Sequence, residues 1–194
     1  RRNAFFALTN TRSMSPADAQ TCIHNLADQL ANIAEKIDQP LDLLVRGDST
    51  LRGHFPLELE TVRSAFEERL GIRYDGVVLC PFFAEGGRVT AGDIHWVEES
   101  DMMRPVALTE FARDTTFGYS RSHLAHWVEE KTGGAVRASD VLSISLEHIR
   151  QQGPQGVCDQ LLQMRPGRVA IINALTYADR AVCMMGLFDA QELG

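Results

Sequence analysis

Val141-Leu142-Ser143-Ile144-Ser145, the stretch from Gln155 to Met164, and Val169-Ala170-Ile171-Ile172-Asn173 read in turn as strand, helix and strand. The two flanking runs are short, apolar and rich in β-branched residues, as strands covered on both faces are. Gly76-Val77-Val78-Leu79-Cys80, stopped by Pro81, has the same character, and Leu41 to Val45 and Phe5-Phe6-Ala7-Leu8-Thr9 add two more candidate strands. Amphipathic stretches separate them. A helix opens at Ser15-Pro16, a capping residue followed by proline. Its apolar stripe runs through Ala19, Cys22, Ile23, Leu26, Leu30, Ile33 and Ile37. Further helices are expected from Pro56 to Leu70, from Ser122 to Lys131 ahead of Gly133-Gly134, and from Ala178 to Leu193. The segment from Phe82 to Arg113 is less regular, with Ile94-His95-Trp96-Val97 and Pro105-Val106-Ala107-Leu108 as short strands in a hairpin or an excursion. Strands alternating with helices predict an α/β fold: a mostly parallel sheet flanked by helices on both faces, a three-layer sandwich. No repeat or linker interrupts the chain, so residues 1–194 are expected to form one domain.

Composition narrows the function classes. The 194 residues carry a formal charge of −7, which disfavours nonspecific nucleic-acid binding and anionic membrane surfaces. No apolar run reaches the roughly 18 residues of a membrane span. Of the 19 basic residues all but Lys36 and Lys131 are arginine, the side chain that grips carboxylates and phosphates with a planar fork. Cys22, Cys80, Cys158 and Cys183 are scattered without zinc spacing and are expected as buried free thiols in a reducing compartment, hence a cytoplasmic protein with no bound metal. The chain starts without Met, shows no signal peptide, and ends inside a helix; both ends read as cut from a longer protein.

In an open α/β sheet, ligands bind beyond the carboxyl ends of the strands. Three polar clusters occupy such positions. Arg46-Gly47-Asp48-Ser49-Thr50-Leu51-Arg52-Gly53-His54 leads into a helix. There Arg46 and Arg52 suit a carboxylate, Asp48, Ser49 and Thr50 suit hydroxyls, and the helix amino terminus beyond Gly53 suits an anion. A second loop, Pro81 to Asp93, offers Gly86, Gly87, Arg88 and Thr90 but is neither a nucleotide-triphosphate loop nor a dinucleotide turn. The third, Thr109-Glu110-Phe111-Ala112-Arg113-Asp114, contributes Arg113, with Arg113 and Asp114 alternatively a plain surface pair. His123 and His126 share a helical face without a further ligand, and His95-Trp96 reads as packing.

These clusters resemble the amino-terminal domain of the four-carbon acid sugar kinases, formerly a family of unknown function. Asp48-Ser49-Thr50-Leu51-Arg52-Gly53 matches its Asp-Ser-Thr-Leu-Arg-Gly signature, and Cys80 to Thr90 is similar to its Cys-Pro-Ala-Phe-Pro-x-x-Gly-Arg-Thr-Thr motif. Phe111-Ala112-Arg113-Asp114 matches a third motif, and Asn173 to Asp179 resembles an Asn-Ala-x-x-x-x-Asp segment. The chain departs from the family at Arg46, where many members carry Lys, and at His54, where they carry Asn.

The resemblance implies an ATP-dependent kinase phosphorylating threonate, erythronate or 3-oxo-tetronate. This chain would be its sugar-acid domain, inactive alone, partnered by an ATP-binding domain of the same polypeptide that brings ATP and Mg2+. It places substrate at Arg46, Asp48, Ser49, Thr50, Arg52, Gly53 and His54, and phosphate or closure contacts at Gly86, Gly87, Arg88, Thr90 and Arg113. The family's acidic motif is absent, so no catalytic base is assigned. A homodimer is left open. The rival expectation is a noncatalytic module that senses a sugar acid or phosphate.

Overall fold

The computed structural model describes residues 6–37, 44–164 and 167–193. They divide into two compact units, a helical one (Arg1–Gly47 with Gly53–Arg73) and an α/β one (Asp48–Arg52 with Tyr74–Gly194).

The helical unit pairs α1 (Pro16–Ile37) with α2 (Leu57–Leu70). The Ser15 hydroxyl accepts the Asp18 N–H at 3.2 Å and donates to the Asp18 carboxylate at 2.7 Å, so the α1 start is capped as its Ser-Pro opening predicts. Ile23, Ala27, Leu30 and Ala31 of α1 pack with Val62, Ala65 and Phe66 of α2. Gly71 then takes the left-handed conformation (φ 66°), its N–H returning to the Glu67 carbonyl. Two expected strands are not seen among the described residues. Phe6 to Thr9 has no regular structure, with Phe6 85% and Leu8 96% exposed; Leu44 and Val45 are exposed and unstranded. Phe5 and residues 41–43 lie outside the described residues. An apolar run becomes a strand only where another strand offers a ladder, and among the described residues none pairs with these.

The α/β unit holds the parallel sheet expected from the sequence. β1 (Gly76–Leu79), β5 (Leu142–Ile144) and β6 (Arg168–Ile172) lie in the order β1-β6-β5. Successive residues Val169, Ala170, Ile171 and Ile172 are all buried, so both faces of the central strand are covered. Beyond α3 (Leu124–Lys131), Ile144, Ala170 and Ile172 pack with Ile149, Val157 and Leu161 of α4 (Leu146–Leu162) and Cys183 of α5 (Tyr177–Leu193). Gln155 to Met164 reads as a separate helix because α4 kinks at Gly153 (φ 63°, ψ −159°), and Pro154 starts the second half. Gly186 lets α4 and α5 meet: a Cβ there would lie 2.5 Å from the Pro154 carbonyl.

The irregular middle is an antiparallel meander, β2 (Arg88–Ala91), β3 (Ile94–Glu99) and β4 (Met102–Pro105). Its two-residue turns, Gly92-Asp93 and Ser100-Asp101, have positive φ at both positions, the twist that suits tight hairpins. Pro105 to Leu108, read as a strand, instead supplies the last residue of β4 and a single 3-10 turn, Val106–Leu108. The meander is fastened at the carboxyl end of β6: Thr90 and Ala174 exchange both backbone hydrogen bonds, at 3.1 and 2.9 Å.

Cys158 and Cys183 are buried as expected; Cys22 is half-buried and Cys80, just beyond β1, is exposed. No described helix is long and apolar enough to cross a membrane.

Candidate functional site

The site is built within the α/β unit, to which Asp48–Arg52 belongs although it interrupts the helical unit in sequence. Leu51 N–H closes a turn on the Asp48 carbonyl at 3.0 Å. Leu51 itself is left-handed (φ 64°) and 6% exposed. A non-glycine residue there carries strain on the order of 1 kcal/mol that neighbouring contacts must offset. The turn hides Thr50 and Leu51 and leaves Asp48, Ser49 and Arg52 half-buried at the surface.

Arg52 is held on three sides. Its Nε donates to Asp48 Oδ2 at 2.7 Å and to Thr50 Oγ1 at 3.0 Å, its Nη1 lies 3.8 Å from Asp114 Oδ2, and its guanidinium sits 5.0 Å from the centroid of Phe111. Arg88 reaches the same ring, 5.7 Å from its centroid, and its buried Nε has no hydrogen-bond partner among the described residues. Two guanidiniums thus share one aromatic ring, which fixes both charges without neutralising either. Asp114 is oriented in turn, its Oδ1 accepting the N–H groups of Thr116 and Phe117 at 2.9 Å. Burial alone would raise the Asp48 carboxyl, but hydrogen bonds from Thr50 and Arg52 outweigh it and hold Asp48 below its usual range.

Two buried side chains that sequence reasoning treated as packing, or passed over, carry the turn. His95 is fully buried on β3; its Nε2 donates to the Ser49 carbonyl at 2.7 Å, and the Thr90 hydroxyl lies 3.0 Å from its Nδ1. Burial pushes this imidazole down to about 4, so it is neutral at pH 7, with the proton on Nε2 because a carbonyl only accepts. Tyr119 donates its hydroxyl to the Thr50 carbonyl at 2.6 Å. Burial, then the Asp48 charge, push that phenol upward. The signal available in the sequence was His95 at an inward position of an alternating strand, where an unpaired polar group would be costly.

The expected site residues therefore separate. Arg52 and Arg88 converge on Phe111, Asp48 is bonded to Arg52, and Ser49 lies on the same turn. Thr50 and Thr90 do not present hydroxyls outward: Thr50 is 2% and Thr90 0% exposed, their oxygens engaged with Asp48 and Arg52, and with Pro81 and His95. They position other groups. Arg46, Gly53 and His54 fall in the helical unit, where Arg46 is exposed and the His54 ring is buried against the Thr11 carbonyl at 3.0 Å. Arg113 is exposed, and its neighbour Asp114 faces Arg52 rather than pairing with it.

Gly86 and Gly87 are packing glycines. A Cβ on Gly86 would strike Arg88 and Phe83, and one on Gly87 (φ 68°) would lie 2.5 Å from Glu98 Cβ and 2.8 Å from its carboxylate. A loop lined by a carboxylate is a poor cradle for a triphosphate, so the residues here do not fit ATP. Among the described residues no group of three or more His, Cys, Asp or Glu is arranged to hold a metal ion. Two open clefts, of about 360 and 320 Å3, are lined by residues of the helical unit alone.

Asn173 and Asp179 are structural. The Asn173 amide donates to Asp93 Oδ1 at 2.7 Å and to the Ile144 carbonyl at 3.0 Å, and its oxygen accepts the Asp93 N–H. Asp179 accepts the Thr176 N–H at 2.9 Å while the Thr176 hydroxyl takes the Asp179 N–H at 3.2 Å, a reciprocal cap on α5, and Arg150 pairs with its carboxylate.

The sequence model of sugar-binding N-terminal domains matches residues 1–193. Among solved structures, the chain is similar to a Haemophilus influenzae protein of the DUF1537 family, with 14% identity, a TM-score of 0.66, and coverage of 92% of this chain and 40% of that one. It is also similar to a Salmonella typhimurium LT2 protein provisionally named a tRNA synthase, with 18% identity, a TM-score of 0.65, and coverage of 93% and 39%. At such identities the likeness carries the fold and not the activity. The chain spans about 40% of the length of these structures. Comparison with curated proteins found no match. By the family match over nearly its whole length, the chain belongs to the family of sugar-binding N-terminal domains.

Proposed function

We propose that this chain is the acid-binding domain of an ATP-dependent kinase that phosphorylates a four-carbon sugar acid of the threonate, erythronate or 3-oxo-tetronate type. The observation that carries the reading is the pair Arg52 and Arg88 on one ring, Phe111, beside an ionised Asp48. An anionic polyol needs both kinds of group: guanidinium donors for its carboxylate and a carboxylate acceptor for its hydroxyls. Arg52 grips the acid through its Nη groups, beside the Asp114 carboxylate 3.8 Å from Nη1, and Asp48 orients the hydroxyls. Arg88 lies where a second negative group would be stabilised, and Ser49 adds a neutral hydrogen-bonding partner.

ATP with Mg2+ supplies the phosphoryl group, held by a separate domain of a longer polypeptide in keeping with the poor fit of the Gly86-Gly87 loop. This chain's part is binding and orientation, which in phosphoryl transfer account for most of the rate gain. The catalytic base is not assigned to any residue here, and the cytoplasm, where ATP is plentiful, is the proposed compartment.

The test is Arg52→Ala in the full-length protein. Losing a charge-assisted carboxylate contact of about 1.5–3 kcal/mol raises the tetronate KM about 10- to 150-fold while the ATP KM stays put. A tetronate KM within about twofold of wild type rejects the grip. A sensing module without transfer would show tetronate binding and no ADP release with Mg-ATP.

A further inference from the structure

We propose that His95 and Tyr119 are positioning residues that hold the Asp48–Arg52 turn in its acid-binding shape, each acting through one backbone carbonyl. The inference rests on the acid-binding reading of that turn. The two side chains come from different parts of the α/β unit and converge on consecutive carbonyls, His95 Nε2 on Ser49 and the Tyr119 hydroxyl on Thr50.

Each also ties in another loop. The Nδ1 face of His95 meets the hydroxyl of Thr90 on β2, so His95 joins the second cluster to the turn. Tyr119 joins the third cluster: its backbone N–H donates to the Ala112 carbonyl at 3.1 Å, next to the ring that carries both arginines. All three clusters are thereby fixed through two buried side chains.

The turn needs such fixing. Leu51 is left-handed without being glycine, so the turn relaxes toward an ordinary conformation unless the peptides leading into Leu51 are held, the 50–51 peptide by Tyr119 and the 49–50 peptide before it by His95. Relaxation would swing Asp48 and Arg52 together, because Arg52 Nε is bonded to Asp48 Oδ2. Losing a tether therefore weakens acid binding before it unfolds the domain.

Tyr119→Phe in the full-length protein removes one hydroxyl and keeps the ring. With D- and L-threonate and D- and L-erythronate as probes, the expected result is a tetronate KM about tenfold higher, kcat and ATP KM within about twofold, and a melting temperature only a few degrees lower. His95→Gln, which retains an N–H donor, is expected to keep more affinity than His95→Leu. An unchanged KM in Tyr119→Phe, or a loss of kcat alone that tracks the unfolded fraction, overturns the proposal. If wild type neither binds nor phosphorylates any of the four acids, the kinase reading fails on its own account. Hydrogen exchange of the 48–52 amides then decides the tether: faster exchange in Tyr119→Phe supports it and unchanged exchange refutes it.

Discussion

Acidification should weaken the α/β unit by an amount set largely by one buried histidine. In the unfolded chain the His95 imidazole titrates at 6.5; in the fold, burial pushes it down to about 4. Because its folded value lies below its unfolded one, the neutral form is the one the fold accepts. The associated stability is fully present above pH 6.5 and is lost as pH falls toward 4, where the unfolded chain takes up a proton the native state refuses. The interval corresponds to about 3 kcal/mol at 1.36 kcal/mol per unit. Asp48 and Asp179 are both held below the ordinary carboxylate value of 3.8, so their own losses fall below this window. Urea unfolding at pH 7, 5.5 and 4 measures the effect. The protein has two tryptophans, Trp96 and Trp127, and both lie in the α/β unit, so their fluorescence reports that unit. His95→Gln, which cannot titrate, should be less stable at pH 7 yet lose about 3 kcal/mol less than wild type on acidification to pH 4. Parallel pH profiles for the two proteins would refute the assignment.

Gly186→Ala, a change that normally favours a helix, should here reverse sign. The added methyl meets the Pro154 carbonyl at 2.5 Å and Val157 Cβ at 2.7 Å, and separating α4 from α5 costs about 1–3 kcal/mol, read as a lower melting temperature. Asp179→Ala removes the α5 cap and the partner of Arg150 together, and should lower stability by about 1–2 kcal/mol in urea titration at pH 7. Asn173→Ala leaves the Asp93 N–H and the Ile144 carbonyl without their side-chain partner, and about 2–3 kcal/mol of destabilisation is expected in the same assay.

What the sequence disclosed depended on how local the determinant was. The strands at 76–79, 142–144 and 168–172 were legible because each is a short apolar run between helices, and the capped start of α1 because Ser15-Pro16 is a local signal. Phe6 to Thr9 and Leu44-Val45 have the same apolar look and no strand, since a ladder requires a partner that no local pattern reveals. The kink at Gly153 hid half of α4 behind a glycine and a proline. At the site, Asp48, Arg52 and Arg88 stood out as charges in loops. Thr50 and Thr90 looked like ligand groups because a hydroxyl in a loop carries no mark of which way it faces. His95 and Tyr119 were invisible as positioning groups: their partners are backbone carbonyls 46 and 69 residues away.

Acid recognition by this domain requires that the two arginines over Phe111 receive the ligand. Arginine Nε–H and backbone amide resonances, followed while threonate and erythronate are titrated into the protein, test this most directly. The expected result is saturable movement of the Arg52 and Arg88 side-chain signals together with the amides of 48–52. Saturation with those signals stationary, and changes confined to residues elsewhere, would contradict it.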